Sequence, residues 1–180
     1  MSQRTVIVGG PRTGKSTLAR ELRAQGHPTF CGDPISLVKE PEAGVTYLPD
    51  GLGWSGSSAY VAEHWLSAPG PWVCEGVVMA RALRKFAGAL PDRIIVLANH
   101  CPLTPVADGQ ATMHRGVMTV WREIAARFAP VAEVWAWRLG RPEALAGGGE
   151  KATALLCRID REQVGAVTSA APEAREAVAA

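Results

Sequence analysis

Residues Gly9-Gly10-Pro11-Arg12-Thr13-Gly14-Lys15-Ser16 follow the spacing G-x-x-x-x-G-K-[ST] without a mismatch. Glycines at this spacing let a turn aim successive backbone N–H groups at one point, because no Cβ atom stands in the way. A helix that starts where the turn ends adds the positive end of its dipole. The product is a cradle for phosphate. Its expected nucleotide contacts are Gly10, Arg12, Thr13, Gly14, Lys15, Ser16 and Thr17. Lys15 is expected to reach the β- and γ-phosphates of ATP, and the Ser16 hydroxyl to face Mg²⁺.

Phosphoryl transfer also needs a metal ligand, positive charge around the γ-phosphate and a group that handles the acceptor. Glu75, after the apolar Trp72-Val73-Cys74, suits an acid that holds Mg²⁺ through water; a solvent-exposed cap is the plainer alternative. Asp33 is the first choice for general base or ligand of an acceptor hydroxyl, against the alternative of a turn former before Pro34. Arg115 is expected at the edge of a lid, where a cation stabilises the transferred charge, while Arg122 fits a solvated helix face equally well. Trp54 with Tyr60 is a candidate platform for a base. Arg81 and Arg84 face solvent or the acceptor, and Arg81 joins Asp33, Trp54 and Glu75 as an expected acceptor contact. Trp65 and Trp121 fall on apolar helical stripes and are expected in the core. His64, His100 and His114 have no ligand spacing, so no metal other than Mg²⁺ is expected.

These side chains need elements to carry them. Thr5-Val6-Ile7-Val8 reads as a buried strand, and Ser16 to Gln25 as a helix with Leu18, Ala19 and Leu22 on one face. Gly26 stops that helix, and His27 to Cys31 reads as a second strand. From Ile35 to Trp54 a long loop is expected, with one helical turn around Ser36 to Lys39. Ser55 or Ser57 is expected to cap a helix from Ser58 to Leu66. Trp72 to Cys74 reads as a strand, Val78 to Ala89 as a helix, and Arg93 to Ala98 as a strand whose four consecutive aliphatics suit a sheet covered on both faces. Asn99 to His114 reads as irregular, Val117 to Phe128 as a helix, and Val131 to Trp137 as a fifth strand. Alternating strands and helices imply a three-layer α/β/α P-loop NTPase fold around a mainly parallel five-stranded sheet, with ligands at the carboxyl ends of the strands.

The core is expected to span residues 1–139, with a lid-like segment at about 99–116 and a C-terminal extension over 140–180. In that extension Gly147-Gly148-Gly149 reads as a hinge, Glu150 to Arg161 as a helix or short strand, and the Ala-rich end after Ser169 as frayed. A chain of 180 residues with 47% hydrophobic and 20% charged residues is ordinary for a globular domain, which excludes disordered and collagen-like classes. A formal net charge of +2 neither demands nor repels a nucleic-acid partner. Cys31, Cys74, Cys101 and Cys157 form no C-x-x-C pair, which argues against a disulfide framework and a zinc site. No run approaches the ~20 apolar residues of a membrane span, and Met1 to Arg4 leaves no room for a signal peptide. A cytoplasmic protein is expected.

Several segments together resemble one family: Val8 to Thr17, Gly53-Trp54-Ser55, Pro71 to Gly76 followed by Arg81-Ala82-Leu83-Arg84-Lys85, and Val120-Trp121-Arg122-Glu123-Ile124. Over residues 4 to 137 the chain is similar to small phage-encoded P-loop kinases of the adenylate-kinase-like group. Within that group it resembles the kinases of thymidine hypermodification, which phosphorylate 5-hydroxymethyluracil in DNA. The resemblance implies use of ATP and Mg²⁺, modified DNA as partner, and a host-cell cytoplasmic location. It also implies two adjacent acids in the second strand, where Gly32-Asp33-Pro34 supplies one, so the base assignment stays open. Two other functions fit the motif: a kinase of a free nucleoside, nucleotide or small metabolite, and an ATPase switch without a phosphorylated acceptor.

Overall fold

A computed structural model describes residues 3–103, 105–138 and 141–147. Its strands are β1 (Arg4–Val8), β2 (Thr29–Pro34), β3 (Val45–Leu48), β4 (Trp72–Gly76), β5 (Arg93–Leu97), β6 (Ala132–Arg138) and β7 (Arg141–Gly147). Its helices are α1 (Lys15–Ala24), α2 (Gly53–Tyr60), α3 (Met79–Lys85) and α4 (Asp108–Phe128). Helix α2 runs on into a wide π-helical turn at Val61–Trp65.

The strands form one sheet in the order β3-β2-β4-β1-β5-β6-β7. The first six are parallel, and β7 pairs antiparallel with β6. The expected α/β/α architecture is present, but the sheet has seven strands among the described residues where five were expected. One addition is Val45-Thr46-Tyr47-Leu48, a β-branched and aromatic run hidden among Pro, Gly and acidic neighbours. The other is β7, so the first part of the expected C-terminal extension belongs to the sheet. Expectations for residues 148–180 lie outside the described residues.

Alternation along the central strands sorts the core into two layers. Ile7, Val73, Ile95 and Leu97 face Leu18 and Ala19 of α1. Val6, Val8, Trp72, Cys74, Ile94 and Val96 face the layer built by α2 with its π-helical turn, α3 and α4, which contains Trp65, Trp121 and Phe128. Strand β5 thus buries aliphatics on both faces, each worth about 1.5–3 kcal/mol, which is why its uninterrupted run does not alternate with polar residues. Trp65 and Trp121 are core residues, as their spacing implies.

Element boundaries differ where capping chemistry was misread. Helix α2 begins at Gly53, so Ser57 and Ser58 lie buried inside it, and Ser55 falls in its first turn. Helix α3 ends at Lys85 because Phe86 turns extended and buries its ring. Helix α4 begins at Asp108, nine residues before Val117; the Gln110 side chain accepts the Ala107 N–H at 3.2 Å and closes its first turn. The later part of the segment expected to be irregular, from Asp108 to His114, is therefore helix. No described helix is long and apolar enough to cross a membrane.

Candidate functional site

The turn between β1 and α1 is fixed residue by residue. Gly10 donates its N–H to His114 Nδ1 at 3.1 Å, and its carbonyl accepts Thr13 Oγ1 at 2.9 Å and Lys15 Nζ at 2.7 Å. The Pro11 carbonyl meets His100 Nδ1 at 3.0 Å, and the Arg12 carbonyl accepts the Cys101 N–H at 2.8 Å. The Thr13 carbonyl accepts the Trp137 indole N–H at 2.6 Å. Four consecutive loop residues are thus held from the segment after β5, from α4 and from the end of β6. The hold sustains a left-handed φ of 58° at Arg12, a conformation a non-glycine residue adopts only when its surroundings impose it.

Gly14, with φ 86°, satisfies two requirements at once: the turn needs left-handed backbone, and a Cβ there would stand 2.4 Å from the Trp137 ring. The backbone then enters α1, whose first amides have no intrahelical carbonyl to reach. The N–H groups of Lys15, Ser16 and Thr17 form the open end of the helix dipole. The Gly10 amide, an expected nucleotide contact, is engaged by His114 in this structure. Arg12 and Thr17 have exposed side chains, while Thr13 is buried as part of the turn.

Glu75 lies within β4 and not beyond it. The parallel register sets it beside Ile7 of β1 and Cys31 of β2, on the face that α1 covers. It is 3% exposed, which rules out a solvent-facing cap. Its Oε1 accepts the Ser16 hydroxyl at 3.0 Å and the Cys31 thiol at 3.2 Å. Burial pushes the Glu75 carboxyl up from the usual range, opposed by Lys15 and by the bonds from Cys31 and Ser16. Burial likewise pushes the Lys15 ammonium down, opposed by Glu75, Asp33 and Cys31. Burial and the neighbouring carboxylates push the Cys31 thiol up, so it remains a protonated donor.

Two clefts meet at Ser16. One, of about 140 Å³, is lined by Ser16, Cys31, Asp33, Tyr47, Glu75 and the polar edge of α1. The other, of about 260 Å³, is lined by Arg12, Gly14, Lys15, Ser16, Thr17, Cys101 and Trp137. The structure therefore brings together Lys15, Ser16, Asp33 and Glu75. Trp54 and Arg81 meet each other, the guanidinium lying 5.8 Å from the ring centroid, and Trp54 is 48% exposed. Arg115 does not join either group. It sits two turns inside α4, exposed, with its guanidinium on Thr112 Oγ1 at 2.9 Å, so the loop-edge position expected for it is overturned by the early start of α4.

The donor set bears on a metal. Among the described residues no group of three or more His, Cys, Asp or Glu side chains could hold an ion unaided. One serine hydroxyl and one carboxylate beside a phosphate cradle instead match Mg²⁺, which keeps waters and takes one or two carboxylates together with substrate phosphates.

Sequence reasoning missed Cys31, His100, Cys101, His114 and Trp137. Only Cys31 carried a signal, since it stands two residues before Asp33 in the same strand. The others come from residues 100 to 137, and the turn they hold gives no hint of them.

No family model matches the chain, and no curated protein matches it. Among solved structures it is similar to shikimate kinase from Acinetobacter baumannii in complex with shikimate, with 14% sequence identity over 92% of this chain and 95% of that one and a TM-score of 0.42. A likeness this distant carries no argument about the site.

Proposed function

We propose that the chain is a Mg·ATP-dependent kinase that transfers the γ-phosphate to a hydroxyl. The observation that carries this reading is the Ser16 hydroxyl 3.0 Å from the buried Glu75 carboxylate, at the mouth of a turn whose Lys15 is also buried. Ser16 and Glu75 would hold Mg²⁺ on the nucleotide, where the ion draws charge from the β- and γ-phosphates. Lys15 would leave the Gly10 carbonyl for the phosphate oxygens. Asp33, exposed in the same cleft, would accept the proton of the acceptor hydroxyl as its oxygen bonds to the γ-phosphorus and ADP departs. Trp137 and Arg12 would flank the donor base in the second cleft.

The acceptor we propose carries a planar ring, because Trp54 presents an exposed indole with Arg81 against it. The hydroxymethyl group of 5-hydroxymethyluracil in DNA is the acceptor that the family resemblance of Gly53-Trp54-Ser55 and Pro71 to Gly76 suggests. In duplex DNA that base must be flipped out of the stack. The test is incubation with Mg²⁺ and γ-labelled ATP in the presence of hydroxymethyluracil DNA, hydroxymethylated mononucleosides or small alcohols. Label in DNA supports the full reading. Label only in a free nucleoside or metabolite moves the acceptor to a small molecule. ATP binding that depends on Lys15 but labels no acceptor overturns the kinase in favour of a nucleotide-dependent switch.

A further inference from the structure

His114 is 5% exposed and sits on the second turn of α4, yet both ring nitrogens reach outside the helix. Nδ1 lies 3.1 Å from the Gly10 nitrogen, and Nε2 lies 3.1 Å from the Ala98 carbonyl oxygen. An amide N–H can only donate and a carbonyl can only accept. The two partners therefore fix one neutral form of the ring, with the proton on Nε2 and the lone pair on Nδ1. The approach is close: a Cβ added to Gly10 would stand 2.4 Å from the His114 Cβ and 2.5 Å from its Cα. Glycine at position 10 is thus required by α4 as much as by a phosphate.

We infer that His114 is a positioning residue of the nucleotide site, which holds the Gly10 amide through Nδ1 and thereby sets the shape of the turn that carries Lys15. The inference rests on the nucleotide-binding part of the proposed function. The Gly10 carbonyl on the other side of the same residue receives Thr13 Oγ1 and Lys15 Nζ. The tie fixes the Gly9–Gly10 peptide plane, and the neighbouring Gly10–Pro11 plane carries the carbonyl on which Lys15 rests. The Ala98 end of the ring ties the same unit to the carboxyl end of β5. One imidazole thus joins turn, strand end and helix.

Acid titration does not isolate this histidine. The His100 ring lies 4.6 Å away, centroid to centroid, and Lys15 reaches the same glycine. Substitution does isolate it. The asparagine side-chain oxygen in His114→Asn reaches the position of Nδ1 and keeps an acceptor for Gly10, while losing the Ala98 bond. The longer amide in His114→Gln reaches toward Ala98 and loses the Gly10 acceptor.

Hydrogen exchange of the Gly10 amide, followed by NMR on the intact chain without nucleotide, reads the tie directly. Calorimetric titration with Mg·ATP reads its consequence. His114→Asn is expected to keep both within about threefold of wild type, and His114→Gln to speed exchange and weaken Mg·ATP by about tenfold each, the scale of one buried donor left without its acceptor. Equal exchange in the two variants, or faster exchange in His114→Asn, overturns the inference. If neither variant folds, the ring ¹⁵N shifts of the wild type decide: protonation at Nε2 near neutral pH supports the tie, and protonation at Nδ1 overturns it. Wild type that binds no Mg·ATP while the variants still differ in exchange overturns the proposed function and leaves the tie in place.

Discussion

The two sides of the proposed site are built differently. On the donor side, residues 10 to 13 are each engaged by a backbone or ring group from residues 100 to 137, and Lys15 is buried against them. On the acceptor side, Asp33, Trp54 and Arg81 project into solvent, and the Trp54–Arg81 contact is their described link. Three of the exposed large hydrophobic side chains, Ile35, Leu37 and Trp54, lie on the segments that follow the carboxyl ends of β2 and β3 on this side. A prebuilt turn loses little freedom when a phosphate arrives. An open apolar rim gains most of its burial from what lands on it. The donor side should therefore be intolerant of change and the acceptor side adjustable.

The sharpest way to break that contrast is Lys15→Ala. It should lower phosphotransfer by about 10³-fold, the scale of losing one preorganised charge at the transferred group. Residual turnover within tenfold of wild type, measured with labelled ATP, would remove Lys15 from the donor role.

Asp33→Asn is expected to cost about 10²-fold in kcat, the lower end for a general base, while the affinity for Mg·ATP stays unchanged in a direct titration. Equal loss of both would move Asp33 from the acceptor to the metal and erase the boundary between the two sides.

Trp54→Ala tests the open rim. Removing a stacking platform worth about 1–3 kcal/mol per base should raise the acceptor KM by roughly tenfold or more, with no loss of thermal stability, since the indole is half exposed. A fall in melting temperature without a change in KM would make Trp54 structural.

The smallest effect concerns the crossover between β2 and β3. Arg20 and Arg23 of α1 converge on Glu42 and hold its carboxyl at about 2, below the ordinary 4.5. A depressed carboxyl stabilises the fold above pH 4.5 and loses that contribution as pH falls toward 2. Because Glu42 is 37% exposed, solvent screening limits the gain to under about 1 kcal/mol. Glu42→Gln should thus lower the melting temperature at pH 7 by at most about 2–4 °C, and wild type and variant should converge near pH 2 in a pH series of thermal melts. A difference that persists at pH 2 would assign the effect to packing.

Much of the fold was legible because its signals are local. Ile94 to Leu97 announce a strand covered on both faces, and Gly9 to Ser16 announce a strand-turn-helix, without reference to anything distant. Strand β3 was legible in Val45 to Leu48 and was lost to the loop-forming residues on either side. The start of α4 was hidden because Ala107 is no recognisable cap and its first nine residues contain Gly109 and Gly116. That one boundary misplaced Arg115. It also hid His114, which became meaningful only as a helical residue facing the turn.

Sequence by itself determined a glycine turn between strand and helix with Lys15 and Ser16 at its helix end, the pattern of a phosphate cradle, since spacing and backbone freedom act within eight residues. It also set Asp33 and Glu75 on the same rim, because parallel strands in a right-handed α/β sheet all end on one side. Tertiary structure decided what each side chain does there. Glu75 faces Ser16 and not solvent because the register of β4 against β1 and β2 turns it under α1. The Gly10 amide meets an imidazole because α4 crosses the turn closely enough to leave no room for a Cβ. Pairings between residues 59 and 104 positions apart are set by how layers pack, and no spacing along the chain encodes them.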